Sequence, residues 1–293
     1  GTSLSSLVTQ LHNEKIVSDP ILIRYTLKIM GLEKKIKAGV YEVKNGDSLL
    51  GLVKKITKGI VKLHAFTIVE GERFSQIIKK LQEEPTIDFR DIDGLDAISV
   101  LKTLGLEKTR PEGLFFPDTY YYPGGSPSMV LLDMSKRRMN EILDLEWENR
   151  SSDLPFSTKY QALIMASIIE KETGNPNERS TISGVFSNRL ERGMRLQSDP
   201  TVIYGLGEEY DGNIKKVHLS QKNPYNTYKI KGLPPTPIAM PGQQSIRAAL
   251  QPKRTDNLYF VSMGNGSHKF SSSLAEHQKA VTKYQKRKRD GKR

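Results

Sequence analysis

The stretch KYQALIMASIIEKET, residues 159–173, decides the fold. Its apolar residues fall on nearly every side of a 3.6-residue period, which predicts a helix buried inside the protein rather than one lying on its surface. Gly174 and the pair Asn175-Pro176 follow and predict the end of this helix. The stretch carries two acids, Glu170 and Glu172, both near that end.

Glu170 is the candidate for chemistry in this helix. At helical spacing it shares a face with apolar residues, and both burial and the partial negative charge of a helix C-terminus raise the pKa of a carboxyl group. A carboxyl that stays protonated near neutral pH can act as a general acid. A structural salt bridge with Lys171 or Arg179 is an equally open interpretation. Glu172 lies about 200° around the helix from Glu170, which predicts a surface position.

The elements around this helix follow from capping and turn signals. Residues 178–192 form a second helix with Arg189 on its apolar stripe, and Asp199-Pro200 predicts the start of a short helix with Asp199 as its cap. Two β-rich runs, 258–261 and 268–270, flank a Gly-Asn-Gly turn and predict an antiparallel hairpin.

An internal repeat occupies the N-terminal part of the chain. GTSLSSLVTQL (1–11), GDSLLGLVKKI (46–56) and GERFSQIIKKL (71–81) each begin with Gly and two polar residues, then carry one apolar stripe. Thr2 and Asp47 are the predicted N-caps. Residues 1–83 are therefore predicted to form a small α+β domain, and residues 84–293 a second, mainly helical domain with a short antiparallel sheet.

Composition excludes several classes of protein. The 293 residues include 45 Lys+Arg and 33 Asp+Glu, a net charge of +12, and no cysteine. Thiol catalysis, a disulfide-stapled scaffold and cysteine zinc sites are excluded. The longest apolar run, 162–169, is far shorter than the roughly 20 residues of a membrane span. Because the chain begins with Gly1, an N-terminal anchor removed from it stays possible on sequence grounds.

Known chemical motifs narrow the choice further. The five histidines show no metal-ligand spacing, and no nucleophile elbow, P-loop or dinucleotide fingerprint is present, so neither a metal nor a cofactor is predicted. The basic balance leaves nucleic-acid binding as an alternative, but no nucleic-acid-binding motif accompanies it. Tyr and Asn in the 225–228 loop are residue types that bind sugars, although a rigid scaffold loop is the other interpretation.

Taken together, the motifs resemble the endolytic murein transglycosylase family, also called MltG or YceG-like. The matching stretches are ASIIEKET (166–173), ER (178–179), VFSNRL (185–190), GMRLQSDPTVIYG (193–205), YNTY (225–228), GLPP (232–235), IAMPG (238–242), LYFV (258–261) and EGLFFPDT (112–119). The likeness covers nearly the whole chain and is most specific in residues 112–278. In residues 1–83 it is weaker, and the Gly-Asp-Ser-Leu turn at 46–49 is similar to a LysM-like unit.

The resemblance implies an enzyme that cleaves the β-1,4 bond between N-acetylmuramic acid and N-acetylglucosamine within peptidoglycan strands. It does so without water and leaves a 1,6-anhydromuramyl end. Glu170 matches the catalytic position in this interpretation, as general acid and then base. Residues expected to hold the sugars are Gln197, Asp199, Tyr225, Asn226 and Tyr228.

The resemblance also implies surroundings for the enzyme: peptidoglycan synthases as partners, a single N-terminal membrane anchor, and a catalytic domain on the extracytoplasmic side of a bacterial membrane. Nucleic acid is not an expected partner. Two other functions stay open on sequence grounds. One is a hydrolase that uses Glu112 or Asp199 as a second carboxylate. The other is a non-catalytic wall-binding module carried by residues 1–83.

Overall fold

The computed structural model describes residues 4–32, 35–37, 39–107 and 110–286, and it is an α+β protein. The helices are α1 (Leu4–Asn13), α2 (Pro20–Ile29), α3 (Leu49–Lys58), α4 (Phe74–Glu83), α5 (Ala97–Thr103), α6 (Ser128–Glu148), α7 (Lys159–Glu172), α8 (Arg179–Glu191), α9 (Asp199–Leu206), α10 (Lys216–Ser220), α11 (Gln243–Leu250) and α12 (Leu274–Val281). The strands are β1 (Leu63–Thr67), β2 (Ile87–Asp88), β3 (Thr119–Pro123), β4 (Ser126–Pro127), β5 (Tyr259–Ser262) and β6 (His268–Ser271).

The first of two compact units contains residues 1–66, 84–88 and 120–127. Its helices α1, α2 and α3 enclose two small apolar clusters, one around Ile23 and Val53 and the other around Leu52 and Ile56. Strand β1 pairs with β3, and β2 pairs in parallel with β4. The three repeated segments each form a helix that begins three residues after the repeat's Gly, at Leu4, Leu49 and Phe74, as the pattern predicts.

The second unit contains residues 67–83, 89–119 and 128–293, and helix α7 lies at its centre. Every residue from Ala162 to Ile169 is buried, which confirms the prediction of a helix with core on all sides. It packs against α6, α8, α9 and α11. Its start is set by a capping box in which the Thr158 hydroxyl accepts the Gln161 amide hydrogen.

The C-terminal end of the second unit contains the predicted hairpin. Strands β5 and β6 are antiparallel, with Tyr259 opposite Ser271 and Ser262 opposite His268. The short antiparallel sheet is therefore confirmed. Within the described ranges, no helix is long and apolar enough to cross a membrane.

Two predicted helix caps differ from the structure. Ser48, not Asp47, caps α3, because its hydroxyl accepts from the Gly51 amide while Asp47 accepts from Lys44 and Lys55. Ser198 precedes α9 as its cap residue, and Asp199 is the first helical residue. Thr2 lies outside the described residues. Helix α4 lies in the second unit, where Phe74 stacks on Phe115 at 5.3 Å between ring centroids. The division into domains 1–83 and 84–293 stays a prediction. The LysM-like character of the N-terminal unit stays a prediction.

Candidate active site

A cleft of about 510 Å³ opens beside the C-terminal end of α7. Its walls come from α7, α8, the segment before α9, the β5–β6 hairpin and α12. The lining residues are Glu172, Arg189, Leu196, Gln197, Asp199, Tyr228, Tyr259, Phe260, Val261, Ser262, His268, Leu274, His277 and Val281. Aromatic faces, hydroxyls and one guanidinium therefore surround a single α7 carboxyl group.

That carboxyl group belongs to Glu172, so its predicted surface position is wrong. Burial raises the pKa of Glu172 from 4.5 to about 7, and the nearby Asp199 charge adds to the increase. A hydrogen bond from the Ser198 hydroxyl and the positive charge of Arg189 act in the opposite direction. Glu172 is half-buried and faces the cleft. It can therefore hold a proton near neutral pH at a place that a ligand can reach.

The backbone before α9 is held in an unusual conformation next to this carboxyl. Gln197 has a φ of +54°, in the left-handed region that side chains other than glycine rarely adopt. Thr227 holds it there, because its carbonyl accepts from the Gln197 amide at 3.1 Å and its hydroxyl accepts from the Ser198 amide at 2.9 Å. Backbone strain of this kind is concentrated at functional sites. The next residue, Ser198, donates its hydroxyl hydrogen to Glu172.

Tyr228 and Asp199 form one polar pair in the cleft. The Tyr228 hydroxyl donates to Asp199 Oδ1 at 2.6 Å. Burial, and then this bond to an anionic acceptor, raises the pKa of Tyr228 well above its usual range. Tyr228 therefore stays a neutral hydrogen-bonding group in the working pH range, and the Asp199 carboxylate has one of its oxygens occupied.

Arg189 supplies a buried positive charge to the wall of the cleft. Its Nε donates to the Leu258 carbonyl at 2.6 Å and its Nη1 to the Leu196 carbonyl at 2.7 Å, while the guanidinium lies 5.2 Å from the Tyr259 ring centre. Burial lowers the pKa of Arg189, but a guanidinium stays charged at any physiological pH.

Glu170 lies on the opposite side of α7 and does not line the cleft. Its Oε1 accepts from Arg179 Nη2 at 3.2 Å, and its Oε2 accepts from the Gly242 amide at 2.9 Å. The Arg179 guanidinium also donates to Gln244 and lies 3.7 Å from Glu70. The ion pair left open by the sequence is therefore present. The assignment of Glu170 as the catalytic acid stays a prediction.

The other predicted site residues divide between the cleft and the core. Gln197, Asp199 and Tyr228 lie in the cleft with Glu172. Tyr225 bonds Thr236 through its hydroxyl at 2.9 Å and packs on Tyr204, outside the lining. Asn226 is 1% exposed and donates to three carbonyls of residues 218–221, so it organises the loop that carries Tyr228.

Glu112, considered as a second carboxylate, is buried beside Tyr204 and does not line the cleft. Burial raises the pKa of Glu112. Three residues that line or border the cleft, Ser198, His268 and His277, were not predicted from the sequence as site residues. Arg189 was noted only as a basic residue on the otherwise apolar stripe of its helix. A basic residue on an apolar stripe is the sequence feature that could have indicated the position of this cleft.

A half-buried acid with a raised pKa, set in an open polar cleft, is an arrangement typical of enzymes that use acid–base catalysis. Comparison with known proteins gives the family. Residues 1–283 match the model of the YceG-like family, and the chain belongs to that family.

Similar proteins agree with this assignment. The chain is 32% identical over 303 residues to the endolytic murein transglycosylase of Bacillus subtilis strain 168, covering 97% of this chain and 82% of the relative. It is 26% identical over 319 residues to the endolytic murein transglycosylase of Streptococcus pneumoniae R6, covering 97% of this chain and 57% of the relative. A crystal structure of a yceG-like protein from Listeria monocytogenes superposes with a TM-score of 0.62 at 30% identity, over 96% of each chain.

Proposed function

We propose that this protein is a lytic transglycosylase that cleaves the β-1,4 bond between N-acetylmuramic acid and N-acetylglucosamine inside peptidoglycan strands. The names of its relatives support peptidoglycan as the substrate. The family resemblance assigns the acid–base role to Glu170. We propose Glu172 for this role instead, because its carboxyl group, with a pKa raised to about 7, lines an accessible cleft.

In the first step, protonated Glu172 donates its proton to the bridging oxygen, which leaves as the 4-hydroxyl of N-acetylglucosamine. Positive charge develops at C1 of the muramyl sugar as the bond breaks. A carboxyl with a pKa near the working pH is suited to this transfer, because a large share of the enzyme is protonated and the proton is still readily given.

In the second step, the Glu172 carboxylate takes the proton of the muramyl C6 hydroxyl, whose oxygen bonds to C1. The product is a 1,6-anhydromuramyl end, and Glu172 is protonated again. No water is consumed, and no second enzymatic nucleophile is required. The buried charge of Arg189 stabilises the carboxylate between the two steps, since it already lowers the pKa of Glu172 in the free protein.

The remaining cleft groups bind and orient the sugars. The Tyr228 hydroxyl and the free Asp199 oxygen offer hydrogen bonds to sugar hydroxyls, and Gln197 offers its amide. Tyr259 and Phe260 offer ring faces to a pyranose. Tyr225 and Asn226 support this surface from behind through the 225–228 loop.

The cell-level proposal follows from the substrate. The protein works on glycan strands beside peptidoglycan synthases, on the extracytoplasmic side of a bacterial membrane, held there by an N-terminal anchor. The net charge of +12 suits a polymer that carries peptide carboxylates. A LysM-like N-terminal unit would add a second binding site for the glycan.

Mass spectrometry of fragments released from purified sacculi tests the reaction. Anhydro ends are one water lighter than the reducing ends that hydrolysis leaves. We expect anhydro ends alone from the wild-type protein. Reducing ends would instead support a hydrolase with Asp199 as the second carboxylate, and tight sacculus binding without any fragments would support a wall-binding module.

A further inference from the structure

Helix α2 of the N-terminal unit is apolar on two sides, but only one side is buried. Ile23 and Leu27 pack into the unit's core against Val8 and Val53. A helix with apolar residues on both sides is expected to be covered on both. The second side of α2 is therefore a surface that needs a partner.

The exposed side is a continuous stripe. Ile21, Leu22, Tyr25 and Ile29 are 68%, 63%, 62% and 85% exposed, and Met30 follows at 49%. At 100° per residue the first four fall within an arc of about 100°, opposite Ile23 and Leu27. Single exposed apolar residues need no explanation, but a contiguous patch marks an interaction surface. We call these five residues the α2 stripe.

The charged side chains within α2 are both positive, and the Asp19 carboxylate caps the helix at its N-terminus. Lys28 lies about 20° and Arg24 about 60° beyond Ile21 on the helical wheel, so both border one edge of the stripe. Residues 20–32 contain no acid, and residues 1–66 contain 11 Lys+Arg against 5 Asp+Glu, a net charge of +6. A partner with an apolar interior and a negatively charged surface complements this arrangement.

We infer that the α2 stripe docks on an anionic lipid surface. An amphipathic helix of this kind lies in the plane of the membrane interface, with its apolar side about 5–10 Å into the headgroup boundary and its basic edge on the anionic headgroups. Ten residues span only about 15 Å, so the helix lies on the bilayer and does not cross it. Tyr25 suits this position because its ring is apolar and its hydroxyl is polar.

Vesicle binding by the whole 293-residue chain tests this inference. We expect co-sedimentation with vesicles of equal parts phosphatidylglycerol and phosphatidylcholine, and little with phosphatidylcholine alone. The double variant Tyr25→Glu/Ile29→Glu lowers the partition coefficient at least tenfold. The double variant Arg24→Gln/Lys28→Gln lowers it about thirtyfold on anionic vesicles only, since it removes two basic residues near the surface.

Leu145→Glu is the matched control, because Leu145 is an apolar residue, 51% exposed, on a helix of the other unit. It should leave binding unchanged. Circular dichroism verifies that each variant is folded.

Three results would overturn the inference. One is the absence of any vesicle binding, and another is binding that the two α2 variants leave unchanged, as the basic residues 286–293 could produce by themselves. The third is self-association of the protein in the absence of vesicles, abolished by Tyr25→Glu/Ile29→Glu. That result would show that the α2 stripe binds a second copy of the chain. Because the cleft takes no part in vesicle binding, each of these results leaves the proposed reaction standing.

Discussion

The substitution Glu172→Gln tests which of the two acids of helix α7 is catalytic. Glu170→Gln, two residues away on the same helix, is the matched control. Gln keeps the shape of the side chain and can still accept the Ser198 hydrogen bond, but it cannot transfer a proton. One positioned acid or base contributes typically 10²–10⁴-fold to a rate, and Glu172 does both tasks in the proposed reaction. We therefore expect Glu172→Gln to lower turnover of sacculi by about 10³-fold or more.

The same substitution should raise stability at alkaline pH. The difference between a pKa of 4.5 and one of about 7 corresponds to about 3 kcal/mol. Because the folded pKa of Glu172 is raised, the folded state loses stability as the pH rises from 4.5 through 7. Above pH 7 Glu172 is ionised in both states, and the folded wild-type protein is destabilised by the full cost of holding this charge. Thermal unfolding should show Glu172→Gln to be more stable than wild type by up to about 3 kcal/mol at pH 8, and no different at pH 4.

Glu170→Gln should instead lower the stability of the protein and have only a small effect on its activity. It removes the charge that faces Arg179, and breaking one side of a buried ion pair costs about 3–5 kcal/mol. Glu70, 3.7 Å from the same guanidinium, can replace part of this charge. We expect destabilisation of about 1–3 kcal/mol and a loss of activity below about tenfold. A folded Glu170→Gln variant without activity, beside an active Glu172→Gln variant, would refute the assignment and return Glu170 to the catalytic role.

The pH dependence of turnover provides a separate test of the raised pKa. The protonated share of a carboxyl with a pKa of about 7 falls about tenfold between pH 6 and pH 8. With soluble glycan strands as substrate, kcat should fall with this slope above pH 7. A flat profile between pH 5 and pH 8 would contradict a protonated Glu172 as the donor.

Three further substitutions test the scaffold. Gly113→Ala should destabilise the protein by about 2 kcal/mol or more in urea unfolding, because Gly113 has a φ of +79° and a Cβ there would lie 2.6 Å from the Pro237 ring. Arg247→Ala should cost about 2–3 kcal/mol at neutral pH, because it leaves the buried Glu146 carboxylate without its bidentate partner. Gln243 also donates to Glu146, at 2.7 Å, and unchanged stability would show that this bond alone is sufficient. Gln197→Gly should change stability by no more than about 1 kcal/mol, since Gly tolerates the left-handed backbone, but it should lower kcat/KM on glycan strands if the amide binds sugar.

Much of the fold could be predicted from local pattern. The buried helix α7, the three repeated helices and the β5–β6 hairpin each follow from apolar periodicity and turn residues within about fifteen positions. These features are local, because a helix or a hairpin is specified by neighbours in sequence and by which of its sides are apolar. The helix caps were less certain, since adjacent Asp and Ser residues can both accept an amide hydrogen at a helix start.

The surroundings of the two acids could not be predicted in the same way. Periodicity correctly placed Glu170 and Glu172 on opposite sides of α7. It could not show whether the Glu172 side faces water or other parts of the protein. Because other elements surround α7, one side meets Arg179 and Gly242, and the other meets Ser198 and the cleft. Those partners lie up to 72 residues away along the chain.

The amino-acid sequence by itself determined the family, the helices and the presence of two acids at the end of a buried helix. Only the tertiary structure decided which of the two acids lines the cleft and which surroundings raise the pKa of Glu172. A pKa depends on the water excluded and the charges gathered around a group, and both are set by distant segments that folding brings together.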